Sequence, residues 1–156
     1  TRDVSEIVAE ALDQPGAASR LGWAASGTVP SGGADDAMVE RGAPDCVAFH
    51  PPCSLQHGQK IRGVIERLLA GMGVRLTPVP DSHLCCGSAG TYAILQPELS
   101  SRLKANKLAA LASGGPRRIL SANIGCLTHL AEDAPVPVEH WVEYLDRRLQ
   151  GHLVQK

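Results

Sequence analysis

The sequence has little net charge of either sign. Its 15 Lys and Arg residues nearly balance 16 Asp and Glu residues, which gives a formal net charge of −1. Without a basic field, tight binding to nucleic acid has no electrostatic support. No apolar run approaches the roughly 18 residues needed to cross a bilayer, and no charged-then-apolar leader opens the chain. We therefore expect no nucleic-acid partner, no transmembrane segment and a cytoplasmic location.

Two kinds of phosphate-binding motif are also missing. No Gly-x-Gly-x-x-Gly or Walker-type loop follows any candidate strand, so no nucleotide is implied.

The sequence starts at Thr1 rather than at a methionine and runs straight into a periodic segment. That beginning is typical of a piece cut from a longer protein.

Cysteines are few and unevenly spaced. Five in 156 residues do not suit a disulfide-rich secreted scaffold, and without an export signal the compartment is expected to be reducing. Metal binding is therefore the leading explanation for their clustering.

The apolar pattern predicts one domain with a preceding segment. With 44% apolar residues, the chain can bury a real core. Helical spacing predicts a short helix near Val4 to Leu12, followed by a long Gly-, Ala-, Ser- and Pro-rich loop. We divide the chain into a helix and flexible loop at 1–44, a cysteine-rich domain at 45–152, and a tail at 153–156.

Beyond residue 44, strands and helices alternate. Strands are predicted at Val47–Phe49, Val74–Val79, Arg118–Ala122 and Val136–Val138. The helices between and after them are predicted at Ile61–Met72, at Pro97–Leu111, as a short turn after Cys126, and around Trp141–Leu149. Because parallel neighbours need crossover connections, this order predicts an α/β, Rossmann-like domain with a four-stranded, mostly parallel sheet flanked by helices.

Four cysteines follow the predicted strands and precede helices: Cys53, Cys85, Cys86 and Cys126 (the four site cysteines). Open parallel sheets place ligands outside the carboxyl ends of their strands, so three stretches of sequence would deliver these thiols to one crevice. Helix N-termini favour thiolates there. The alternative is that small buried cysteines merely pack. The adjacent pair followed by Gly87 favours a site.

The spacing of these cysteines resembles the cysteine-rich "CCG" domain of heterodisulfide reductase and related iron–sulfur subunits. Closer matches cover Pro52–Lys60, Leu84–Tyr92 and Ala122–Cys126, which resemble the C-terminal part of glycolate oxidase iron–sulfur subunits. The resemblance extends over about Val47 to Leu149 and is loose before Pro44.

The resemblance implies an electron-transfer subunit with no chemistry of its own on glycolate. Such a subunit takes electrons from a flavin-bearing partner that oxidises glycolate to glyoxylate, and it passes them toward the membrane quinone pool. The complex would then be peripheral at the inner face of the cell membrane. The ferredoxin-type cysteine runs of full-length relatives are missing here.

One position departs from the family pattern. Asn123 stands where the first cysteine of a terminal Cys-x-x-Cys would be. Four thiolates are still enough for a [4Fe-4S] cluster. Two alternatives stay open: a structural zinc site, since four thiolates also bind Zn²⁺ tetrahedrally, and a thiol–disulfide redox module.

The remaining candidates are assigned lesser roles. Cys46, at the start of a strand, is expected to be structural and at the opposite edge of the sheet. Imidazoles can bind zinc or iron, but each nearby histidine alone is more typical of a supporting or surface role; His57 and His83 are the preferred ones among His50, His57, His83 and His129. Trp141 is expected in the core. Charges at helical spacing usually line a solvated face, so no role is given to Lys60, Arg62, Arg102, Lys104 or Lys107.

Overall fold

The computed structural model describes residues 2–17 and 46–153. Along these ranges the elements are α1 (Val4–Leu12), β1 (Cys46–His50), a π-helical turn (Ser54–Gly58), α2 (Val64–Gly71), β2 (Arg75–Leu76), α3 (Tyr92–Leu95), α4 (Pro97–Ala112), β3 (Arg118–Ser121), α5 (Ile124–Ala131), β4 (Val138–His140) and α6 (Trp141–Leu153). None of the helices in these two ranges is both long and apolar enough to span a membrane.

The four strands form one sheet in the order β2-β1-β3-β4, and every neighbouring pair is parallel. The α/β prediction is confirmed, and the sheet is entirely rather than mostly parallel. Because β2 lies on one side of β1 and β3 on the other, the chain changes direction between β1 and β3. Ligands of open parallel sheets bind at the carboxyl ends of the strands at such a point.

Several predicted boundaries were wrong: β4 spans Val138–His140 instead of Val136–Val138, and two other differences have identifiable reasons. Strand β2 ends at Leu76 instead of continuing to Val79, because Pro78 and Pro80 have no N–H groups to donate to a ladder. Helix α2 starts at Val64 instead of Ile61, since its N-cap Gly63 has a φ of 71°, in the left-handed region. The long loop predicted before Pro44 lies outside the described residues.

Alternating strand residues face two cores, one on each side of the sheet. Val47, Phe49 and Leu120 face the first core, which includes residues of α2 and α6; Trp141 is buried there as predicted. Ala48 and Ile119 face the second core, together with residues of α4 and α5. Full burial of a Val, Leu, Ile or Phe side chain contributes about 1.5–3 kcal/mol to stability. Helix α1 packs against the first core through its half-buried Val8, Ala9 and Leu12.

Candidate metal centre

The alternation of strand side chains decides what reaches the carboxyl edge on the second-core side. Side chains two apart in a strand share a face, so His50 follows Ala48 and Ser121 follows Ile119. His50 and Ser121 are the last residues of β1 and β3 and are direct partners in the sheet register. Both are buried, and Nδ1 of His50 lies 3.1 Å from Oγ of Ser121. A polar pair thus follows the apolar residues Ala48 and Ile119 on the same face of these two strands.

Two of the four site cysteines meet this pair. The ligand atoms of His50, Cys86 and Cys126 all lie within 4.8 Å of one another, and all three residues are buried. This is the group of potential metal ligands found among residues 2–17 and 46–153. The three come from β1, from the loop before α3, and from the first turn of α5. The convergence predicted from the strand–helix order therefore holds for these thiols.

The other two site cysteines, Cys53 and Cys85, form a second pair beside the first. The side chain of Cys85 is near enough to shift the pKa of Cys53, and both residues are half-buried. Burial raises the pKa of Cys53, and the neighbouring charge of Cys85 raises it further. The backbone N–H of Gly87 donates to Sγ of Cys85 at 3.3 Å. All four thiols are free, and they are near enough to influence one another electrostatically.

Cys86 and Cys126, the inner pair, have pKa values that are shifted in opposite directions. A hydrogen bond from the Cys126 thiol lowers the pKa of Cys86 well below its ordinary value, and His50 contributes a second hydrogen bond in the same direction. The same contact raises the pKa of Cys126, with burial and the charge of Cys86 adding to it. Of the two thiols, Cys86 is therefore the one that ionises more readily, and thiolates are the form that binds metals.

Gly87 allows the cysteine loop to lie directly on α4. Its φ is 93°, and a Cβ at this position would lie 2.5 Å from the carbonyl oxygen of Ser100. The Ser100 hydroxyl donates to the carbonyl of Gly87 at 3.1 Å and lies 3.3 Å from Nε2 of His129. On the other side, the Ser88 hydroxyl donates to the carbonyl of Gly125 at 2.9 Å. The loop that presents Cys85 and Cys86 is thus held between α4 and α5.

Lys107 supplies a buried positive charge near the thiols. Its side chain is 2% exposed, and its ammonium donates to the carbonyl oxygens of Asp81 (3.2 Å) and Ser82 (2.9 Å). Burial lowers the pKa of Lys107, while the charges of Cys86, Cys53 and Cys85 act in the opposite direction. This lysine therefore fixes the approach to the cysteine loop and partly balances the charge of the thiolates.

The expectation that charged residues of α4 lie on a solvated face was wrong for both of its lysines, Lys104 and Lys107. Lys104 is 8% exposed and forms ion pairs with Glu132 (2.7 Å) and Asp133 (2.6 Å) just beyond α5. Lys107 donates instead to backbone carbonyl oxygens in the loop that precedes Cys85 and Cys86. Lys60, Arg62 and Arg102 are exposed, as expected.

The preferred histidines do not reach the inner thiols. His57 and His83 are exposed, and Nε2 of His57 lies 3.2 Å from the carbonyl oxygen of His83. His50 joins Cys86 and Cys126 instead. Its signal in the sequence was its parity with Ala48 at the end of a buried strand. Cys46 is the first residue of β1, at the far end of that strand, where the Arg75 guanidinium donates to its Sγ.

Asn123 caps α5. Its side-chain oxygen accepts from the N–H groups of Gly125 (3.0 Å) and Cys126 (3.2 Å), and its amide nitrogen lies 3.5 Å from Oγ of Ser54. The residue that departs from the family's cysteine pattern therefore orients the helical turn that carries Cys126.

Asn123→Ala is expected to lower the free energy of unfolding by about 1 kcal/mol, because two N–H groups lose their acceptor. Urea denaturation measures the change. Asn123→Ser is the matched control, since serine is an equally good N-cap and should restore most of the loss. An equal loss in both variants would count against a capping role.

Comparisons with known proteins place these residues in a family. The family model described as "Cysteine-rich domain" (CCG) matches residues 47–131. The glycolate oxidase iron-sulfur subunit of Escherichia coli (strain K12) is 54% identical over 104 residues, which cover 67% of this chain and 26% of that protein. Lactate utilization protein A of Bacillus licheniformis is 28% identical over 109 residues, which cover 64% of this chain and 44% of that protein.

The matched regions are only part of each relative. The chain spans about a quarter of the Escherichia coli protein and under half of the Bacillus protein. A second lactate utilization protein A, from Bacillus pumilus, is 26% identical over 106 residues and is again covered to 44%. The resemblance drawn from the cysteine motifs is confirmed.

Proposed function

Because the chain belongs to the family of cysteine-rich (CCG) domains, we propose that it binds an iron–sulfur cluster through Cys53, Cys85, Cys86 and Cys126 and carries electrons within a larger oxidoreductase. The observation that supports this most strongly is the convergence of four free thiols at the carboxyl edge of a parallel sheet, with Cys86 favoured as a thiolate. Iron–sulfur clusters are held by cysteine thiolates.

The donor set fits such a group. An iron–sulfur cluster supplies one-electron transfer when it is bound, and four thiolates are enough ligands for a [4Fe-4S] type. The protein contributes the ligands, the buried cation of Lys107, and the capped turn that orients Cys126. Gly87 and Gly125 put backbone rather than side chain beside the cysteines.

For the parent complex we propose a 2-hydroxy-acid dehydrogenase, with glycolate as substrate. Support comes from the 54% identity to a glycolate oxidase iron-sulfur subunit. Oxidation of glycolate to glyoxylate releases two electrons and two protons. A flavin subunit would accept them, and the electrons would pass singly through this domain to a quinone, which takes up two protons as it is reduced. For such a route we propose a complex that is peripheral at the cytoplasmic face of the cell membrane.

Burial disfavours the thiol–disulfide alternative. A disulfide substrate needs a thiol that ionises readily; Cys86 has its pKa lowered by Cys126 but is 1% exposed. A substrate disulfide must reach the attacking sulfur directly. Ligation of a metal delivered during assembly needs no such access afterwards.

Anaerobic iron–sulfur reconstitution of the 156-residue chain, followed by iron, sulfide and zinc analysis and electron paramagnetic resonance, tests the proposal. Stoichiometric iron and sulfide are expected. Cys86→Ser should bind iron at least about 10-fold more weakly and retain less of it, since even residues that only support a ligand change metal affinity by that factor.

Cys46→Ser is the matched control. This cysteine is buried like Cys86 and Cys126 but lies at the other end of β1, so its replacement should leave iron content unchanged. Stoichiometric zinc with no uptake of iron in the unsubstituted chain would overturn the proposal in favour of a structural zinc site.

A further inference from the structure

We infer that His50 supplies a nitrogen ligand to the metal centre that Cys86 and Cys126 hold, so that the site is a mixed nitrogen–sulfur one. The inference rests on the proposed function, because it concerns the same centre. It adds a ligand that the cysteine pattern does not contain.

The first argument is placement. His50 ends β1 on the face that carries Ala48 and the second core, and Cys86 and Cys126 belong to that core. It is 1% exposed, at the point between β1 and β3 where open parallel sheets bind ligands. Its ligand atom lies within 4.8 Å of both sulfur atoms. No rearrangement of the strands is needed to bring it to the metal.

The second argument is the orientation of the ring. Nδ1 lies 3.1 Å from the buried hydroxyl of Ser121, which leaves Nε2 as the ring nitrogen available to a metal. Metal-binding histidines usually have their other ring nitrogen hydrogen-bonded in this way, which fixes the tautomer and the ring plane. Ser121 is paired with His50 in the sheet register, so the backbone fixes the relation between the two side chains.

The third argument comes from the needs of a buried imidazole. Buried polar atoms have partners, and His50 uses one nitrogen on Ser121. The group opposite is the sulfur of Cys86, which lies within 4.8 Å of the ligand atom of His50. A metal between them satisfies the ring nitrogen and the sulfur at once.

The test is pulsed electron paramagnetic resonance on the reconstituted, reduced chain, prepared with natural-abundance nitrogen and with ¹⁵N-histidine. We expect the strong nitrogen coupling of a directly bound imidazole, with the isotope shift of ¹⁵N. It should disappear in His50→Gln and persist in His57→Gln, which changes an exposed histidine. The reduction potential of His50→Gln should shift, and that of His57→Gln should not.

Labelling the unsubstituted chain keeps the inference falsifiable even if His50→Gln does not fold. In that case, single replacements of the other five histidines identify the ligand by elimination. A reduced cluster with no histidine coupling, or a coupling that survives in His50→Gln, overturns the inference while leaving the proposed function intact. A chain that takes up no iron overturns the proposed function first.

Discussion

Gly87→Ala is expected to lower the free energy of unfolding by about 2–6 kcal/mol. Two costs combine at this position. A φ of 93° is strained for any residue with a Cβ, at about 1–3 kcal/mol. The added Cβ would also lie 2.5 Å from the Ser100 carbonyl oxygen, and overpacking of this kind costs about 1–3 kcal/mol. Since backbone cannot rotate away as a flexible side chain can, the cysteine loop must lift from α4.

Urea denaturation measures the stability of this variant, and iron content after reconstitution measures the site. Gly90→Ala is the matched control in the same loop. Its φ is 55° and nothing lies within 4 Å of its Cβ position, so it carries only the left-handed backbone cost of about 1–2 kcal/mol. We expect iron retention to fall in Gly87→Ala and not in Gly90→Ala. Equal losses at both positions would show that close packing on α4 is irrelevant.

Lys107→Met is expected to lower both stability and retention of the metal centre. Methionine keeps much of the volume but leaves the carbonyl oxygens of Asp81 and Ser82 without their donor, at a cost of about 1–3 kcal/mol. It also removes a buried cation near the thiolates. Without that charge, adding an electron to an anionic centre is harder, so the reduction potential should fall.

Lys104→Met separates the two effects. Lys104 lies on the same buried face of α4, but its partners are Glu132 and Asp133. Its replacement should lower stability and leave the reduction potential unchanged. Potentiometric titration followed by electron paramagnetic resonance makes the comparison. Equal potentials in the Lys107→Met and unsubstituted chains would contradict an electrostatic role for Lys107.

The alternation of strands and helices could be predicted because each element has a recognisable pattern in its own stretch of sequence. Apolar strands and the stripe of α2 have clear periods, and Pro97 and Gly114 mark the ends of α4. The parallel sheet followed from that order, and with it the edge where the thiols meet. The boundaries of β2 and α2 needed more, since prolines and a left-handed glycine decide them.

The buried face of α4 could not be found from its apolar pattern. The buried residues of α4 recur at helical spacing, and they are Ser100, Lys104, Lys107, Leu108 and Leu111. The first three of these five have polar side chains. Periodicity of hydrophobic residues is silent where the core face binds a carbonyl, an ion pair or a site. The partners that make Lys104 and Lys107 suitable for burial lie 25 or more positions away, and only the fold brings them together.

His50 was underrated for a related reason. All four candidate histidines lie within a few residues of a site cysteine, so distance along the sequence could not separate His50 from His57 and His83, which are exposed. The deciding fact is instead the parity of a strand: Ala48 faces the second core, so His50 does too. Asn123 was treated as a missing ligand, although its position between a strand and a helix is also that of an N-cap.

The separation of the cysteines along the chain has a consequence for the unfolded state. Between Cys53 and Cys85 there are 31 residues, and between Cys86 and Cys126 there are 39. A metal centre that joins them acts as a cross-link that closes two long loops. By the chain-entropy argument used for disulfides, closing a loop of this size is worth about 3–4 kcal/mol. The same centre that carries electrons would thus also hold together segments that come from three different strand ends.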